Sequence, residues 1–343
     1  MNGIEFEKMT DSKKKEVYNT WKNKKMPHKI CKVWDNRYPE PSNNSYMFDI
    51  DGINSTKIVK SNEKVLRDNL KKIFKLNNVV DYDKKFHNAF FGAGHEYKEV
   101  LRLHSSALCA FLFFSSVSVE NPLELTLEFD KPGCLFKEVR FEYENNVFKD
   151  GHPSSVDVVL LTEDKKTILF LESKFAEYYL SNHCIEVSAE YLGHDMSKRF
   201  YNRETLESFG FRSNYVKNEI KTYDSDGRKV FKVYSDKSDI SNAKSYVDGI
   251  KQMISHYIGV DNFIRRECSL PKDVKVFLGE ILFDFKNEKI EKYMKDYEDK
   301  YNKLYNLFKN TNHNIHWVDR VLHYSDIEGF VKNQTIKEFY FGK

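Results

Sequence analysis

Residues 155–174, SVDVVLLTEDKKTILFLESK, constrain the fold more than any other part of the chain. Two apolar runs flank the short polar loop TEDKKT, the pattern of a β-hairpin with both strands buried. The second run ends in Glu172, Ser173 and Lys174. Charged groups at the end of a buried strand are costly unless something pairs with them. A hairpin that turns between Asp164 and Lys165 sets Asp157 opposite Glu172. Cross-strand partners share a face, and so do residues two apart, so Asp157, Glu172 and Lys174 are expected on one face at one end of the hairpin. Two carboxylates that close repel unless a cation lies between them. Oxygen donors of this kind suit magnesium, which keeps several waters and takes a substrate phosphate. A lysine beside the ion orients a water and offsets charge building on a phosphate. The plainer alternative is a strand-end salt bridge, Glu172–Lys174 or Asp157–Lys174, exposed at the rim of a sheet.

Around the hairpin the periodicity predicts a mixed α/β protein. A helix is expected over about 95–114, with Val100, Leu103, Ala107, Leu108 and Phe111 as its apolar stripe. LFKEVRFEYEN reads as a strand before the hairpin, NAKSYVDGIKQMISHYIG as a helix after it, and DVKVFLGEILFDF as a further strand. That order, helix, three strands, helix, strand, implies a mixed sheet flanked by helices. IKTYDSDGRKVFKVY reads as a second hairpin turning at Asp226-Gly227. Residues 288–310 read as a long helix whose seam of Ile290, Met294, Tyr297, Tyr301, Leu304 and Phe308 packs on its own core, with a homodimer contact as the lesser alternative. Residues 1–85 are expected to form a separate basic and helical lobe, and 86–343 the main domain, with its core over about 90–285.

The 343 residues are 40% hydrophobic and 31% charged, which fits a globular chain and excludes a disordered one. The formal net charge is only +3, so any footprint for nucleic acid must be local. Residues 11–32 supply one, with eight lysines, Lys22, Lys24 and Lys25 among them, interleaved with Tyr18 and Trp21. Such a segment suits phosphate contact and base stacking; a solvated helix face is the alternative. The five cysteines show no Cys-x-x-Cys spacing, so neither a disulfide framework nor a zinc site follows. No secretory signal or membrane-length apolar run is present, and the expected home is cytoplasmic with no membrane partner. There is no Gly-x-Ser-x-Gly elbow for a serine hydrolase. GAGHEY lacks the third glycine of a dinucleotide loop. His104, Ser105 and Ser106 are expected to pack or cap locally, and His313, His316 and His323 to be surface or packing histidines.

With Asp157 in SVDVV and Glu172-Ser173-Lys174 in ESK, the chain resembles the PD-(D/E)XK nuclease superfamily, the restriction-endonuclease-like fold. More narrowly, GAGHEYKEVLRLHSSALCAFLF, GHPSSVDVVLL and FLESKFAEYY follow one another as in a bacterial restriction-endonuclease-like family with a His-Ser-Ser-x-Ala-Leu helix before the core. The likeness spans roughly residues 90–285. It implies an α/β core with a mixed sheet and a magnesium-dependent endodeoxyribonuclease, with manganese able to substitute. The substrate it implies is DNA, double-stranded, in restriction or defence. Carried over residue by residue, Asp157, Glu172 and the Ser173 carbonyl would bind metal and Lys174 would be the catalytic lysine. Glu96 would be the acidic residue of the first core helix, with Glu99 its competitor. Gln252 stands where relatives carry a Gln or Lys on the later helix, and Tyr257 is one residue out of the usual Gln-x-x-x-Tyr spacing. The residue before Asp157 is Val156 rather than Pro. A non-cleaving nucleic-acid-binding module that keeps the fold is the alternative function.

Overall fold

The computed structural model describes residues 63–92, 96–98, 100, 105–147, 153–175, 184–213, 222–223, 229–235, 246–266, 270–271, 273–284, 288–310 and 314–341. In chain order these form α1 (Glu63–Ile73), α2 (Tyr82–Phe91), a 3-10 turn (Glu96–Lys98), α3 (Ser106–Phe114), β1 (Leu123–Leu125), β2 (Cys134–Asn145), β3 (Ser154–Thr162) and β4 (Thr167–Lys174). Next come β5 (Cys184–Ser188), α4 (Asp195–Phe200), α5 (Arg203–Ser208), β6 (Phe211–Ser213), β7 (Thr222–Tyr223), β8 (Lys229–Ser235), α6 (Tyr246–Arg266) and β9 (Lys275–Leu282). The chain closes with α7 (Glu288–Phe308), β10 (Ile315–Trp317), β11 (Leu322–His323) and α8 (Gln334–Phe341).

The main sheet runs β1-β2-β3-β4-β9-β10, with β11 also paired to β9. Each of its first four strands is antiparallel to the next, whereas β9 is parallel to β4, and β10 and β11 are parallel to β9. The hairpin has the expected register, Val158 facing Leu171 and Leu161 facing Ile168, and Lys165 in its turn takes a left-handed φ of 56°. A parallel neighbour needs a long crossover. The one from β4 to β9 holds α6 and a second antiparallel sheet, β5-β8-β6 with β7 on β8. The sequence reading anticipated only the β7–β8 pairing of that sheet.

Helices cover both faces. On one, Phe111 of α3 meets Tyr82, Phe86 and Phe90 of α2 and Phe141 of β2, with ring centroids 5.2–5.8 Å apart. α8 joins that face through Tyr340, which packs on Phe113 and Phe175. On the other face Phe263 of α6 packs on Tyr143 and Phe170. Phe111 is wholly buried, and removing such a ring costs about 3–5 kcal/mol. Phe111→Ala should therefore lower the urea midpoint sharply, and a loss under ~1 kcal/mol would show that the cluster is not the centre of this layer.

Several expectations are corrected. α3 starts at Ser106, not near residue 95, because Ser105 is extended and its hydroxyl accepts from the Leu108 amide as an N-cap. Glu96 consequently sits in the 3-10 turn, not on the first core helix. α6 continues to Arg266 because Val260 and Phe263 extend its buried face. Gly259 does not end that helix; a Cβ there would meet Asn145 at 2.8 Å, so glycine lets α6 pass close over β2. Helix α2 runs through residue 85, and Leu66, Leu70, Phe74, Phe86 and Phe90 belong to the main core, while residues 1–62 of the expected lobe lie outside the described residues. The α7 seam is used within the chain: Tyr297, Tyr301, Leu304 and Phe308 are buried, and Phe308 stacks on Trp317. Those four residues are therefore taken up within the chain rather than left free for a dimer contact. Lys22, Lys24, Lys25, Glu99, His104, Asp226, Gly227 and His313 lie outside the described residues.

Candidate functional site

Asp157 and Glu172 come together at one end of the sheet because β3 and β4 pair about the TEDK turn, each residue one step past the Val158–Leu171 pair. Two further carboxylates extend the line across neighbouring strands. Glu142 occupies the β2 position opposite Asp157, between the pairs Phe141–Val158 and Tyr143–Val156. Glu280 on β9 pairs directly with Glu172. Four adjacent strands thus carry Glu142, Asp157, Glu172 and Glu280 in one row.

Glu142 joins the row through its backbone. Its φ is 48°, left-handed within a paired strand, a conformation that costs a non-glycine residue about 1–3 kcal/mol. Residues two apart in a strand normally share a face, yet Phe141 packs on α3 and Tyr143 on α6. The left-handed residue between them supplies that reversal. Glu142 also lines an open cleft of about 860 Å³ between α2 and β2, so the β2 end of the row borders that cleft.

Lys174 and Glu172 form a buried pair, not an exposed one at a sheet rim. The Lys174 ammonium donates to Glu172 Oε1 at 2.6 Å and to Gln252 Oε1 at 2.6 Å, and Lys174 is 3% exposed. His256 Nε2 lies 2.8 Å from Glu172 Oε2. Burial alone would raise the Glu172 carboxyl, but Lys174 and then His256 hold it down to about 2.

The other carboxyls are not so balanced. Asp157 Oδ2 accepts from the Ser173 amide at 2.6 Å, yet burial first and then the charges of Glu172 and Glu142 raise its carboxyl well above the usual range. Glu142 is pushed up to about 8, by burial first and then by the charge of Glu96, although it accepts from Ser155 Oγ at 2.8 Å. Glu280 is raised to about 8, chiefly by burial, and accepts from the Tyr297 hydroxyl at 2.7 Å. Ser173 is fixed from the opposite face, its hydroxyl 2.7 Å from Tyr324 Oη and 3.3 Å from the Ser106 carbonyl oxygen.

The structure therefore brings Asp157, Glu172, Ser173, Lys174 and Gln252 together, whereas Glu96 is linked to them only by the repulsion of its charge with Glu142. Tyr257 turns away and packs on Phe308 and Trp317. His323 contacts Glu298 at 3.0 Å and His316 packs on Phe277, as packing histidines do. Glu142, Glu280 and His256 escaped the sequence reading. Only His256 left a signal there, one helical turn beyond Gln252.

Among the described residues no three His, Cys, Asp or Glu side chains gather as a ready metal cage. The donor chemistry still fits a hard cation. All four members of the row are oxygen donors, and the Asp157 and Glu142 carboxyls are driven up partly by neighbouring negative charge. Among the described residues no helix is long and apolar enough to cross a membrane. Comparison of the chain with family models, with curated proteins and with solved structures returns no match.

Proposed function

We propose that this protein is a metal-dependent endodeoxyribonuclease of the PD-(D/E)XK kind, hydrolysing phosphodiester bonds in double-stranded DNA, in a restriction or defence setting. The observation that carries the reading is the convergence of Asp157 with Glu172 and Lys174 on adjacent strand ends, met by Gln252 from the next helix. The element order supports it: α3, β2, β3, β4, α6, β9, with three antiparallel strands and β9 parallel to β4.

In this reading Asp157, Glu172 and the Ser173 carbonyl would hold magnesium, or manganese in its place. Such an ion supplies charge neutralisation and a more acidic bound water. Lys174 orients the attacking water and offsets negative charge growing on the phosphate. Its two hydrogen bonds fix the ammonium in place. Gln252 acts on Lys174, and the charge of Glu96 acts on Glu142.

The non-cleaving binding module is the second reading. What favours it is that both Glu172 oxygens already have protein partners, at 2.6 and 2.8 Å. Supercoiled plasmid incubated with magnesium and with EDTA separates the two, with Lys174→Ala as the control for a contaminating nuclease. Nicking that needs magnesium and is absent from the variant is the expected result. Binding without cutting on duplex, single-stranded, branched and RNA substrates would replace the nuclease with the binding module.

A further inference from the structure

Glu172 is held from two sides, and one of its holders has no part in the chemistry above. His256 lies on α6 one turn beyond Gln252, so the two side chains share a helix face. His256 is buried. Its Nε2 lies 2.8 Å from Glu172 Oε2, and its Nδ1 lies 2.6 Å from Ser154 Oγ. Glu172 Oε2 thus has the ring nitrogen at ion-pair distance on one side, while the Ser154 hydroxyl, which can donate or accept, meets the other ring nitrogen. Ser154 thereby anchors the ring from the side away from Glu172.

The three residues also span the site. Ser154 opens β3, the strand of Asp157; Glu172 is on β4; His256 is on the helix that carries Gln252. We propose that His256, set by Ser154, is the positioning residue that fixes the direction of the Glu172 carboxylate. This rests on the nuclease reading of Asp157, Glu172 and Lys174. With Lys174 on one oxygen and His256 on the other, Glu172 cannot swing to take Lys174 with both, and each oxygen keeps a further lone pair for a cation.

Removing such an orienting partner weakens metal affinity about 10–100-fold. The test is calorimetric titration of manganese into the full chain without DNA, for wild type, His256→Leu, His256→Gln and Ser154→Ala, with plasmid nicking alongside. His256→Leu should weaken manganese binding by about 10–100-fold. His256→Gln, which puts an amide N–H near the Nε2 position, should recover most of it. Ser154→Ala, which removes the second anchor of the ring, should fall between the two. If wild type binds manganese and His256→Leu binds it equally well, the positioning role is wrong while the nuclease reading stands. Equal loss in the Leu and Gln variants would mean a packing role and also overturns it. If wild type neither binds manganese nor nicks DNA, the nuclease reading fails and this inference falls with it.

Discussion

Lys174→Ala is expected to lose DNA cleavage by at least about 10²–10³-fold and to lose stability as well, by about 3–5 kcal/mol. The second effect follows from burial. Lys174 is 3% exposed, and its ammonium is the hydrogen-bond donor to both Glu172 and Gln252 at 2.6 Å. Alanine leaves a buried carboxylate with His256 alone and leaves the Gln252 carbonyl without this donor. Lost activity in that variant could therefore reflect an unfolded protein. Adding Glu172→Gln to Lys174→Met removes the stranded charge and refills the volume, so the double variant should recover much of the stability and none of the cleavage. Guanidinium melts of the two single variants and the pair would show non-additivity of about 1–3 kcal/mol. Additive melts would deny that Glu172 and Lys174 are coupled at all, and cleavage surviving in the folded double variant would reduce them to a structural ion pair.

How far the sequence reveals this site depends on the range of each interaction. The β3–β4 hairpin is legible because its register follows from a short loop between apolar runs, and Asp157, Glu172 and Lys174 come with it. The order of helices and strands is legible from periodicity. The second sheet is not: β6 and β7 hold only three and two residues, too few to show an alternation. Glu280 faces Glu172 through a parallel register between segments about a hundred residues apart, and no local pattern encodes that. Glu142 is harder still. FEYEN alternates like an ordinary strand, yet Glu142 stands opposite Asp157 on a left-handed backbone residue. Tyr257 misled the reading because it stands beside the residue that matters. One turn from Gln252 is His256, and helix geometry puts that residue, not its neighbour, on the site.

The crowding of carboxyls predicts a trade of stability for function at Asp157. Asparagine at this position can still accept from the Ser173 amide through its carbonyl and can donate to Glu142 through its amide. It also takes one negative charge from between Glu142 and Glu172. Asp157→Asn should therefore melt higher than wild type, on the order of 5 °C, while cleavage is lost. The pH dependence has a definite sign. Glu142 and Glu280 are raised from 4.5 to about 8, so the folded state holds protons that the unfolded state releases. Their stabilising contribution is complete below about pH 4.5 and is lost as pH rises through about 8. Metal-free wild type should therefore melt at a lower temperature at pH 8.5 than at pH 6, with a shallower fall in Asp157→Asn because the charge facing Glu142 is gone. A cation that binds only the folded protein adds about 2.7 kcal/mol at a hundred times its Kd. Manganese at pH 8 should consequently raise the melting temperature of wild type far more than that of the variant. Should Asp157→Asn melt lower than wild type at every pH and respond equally to manganese, Asp157 would be a structural acceptor for Ser173 and the row of carboxylates would have no cation to hold.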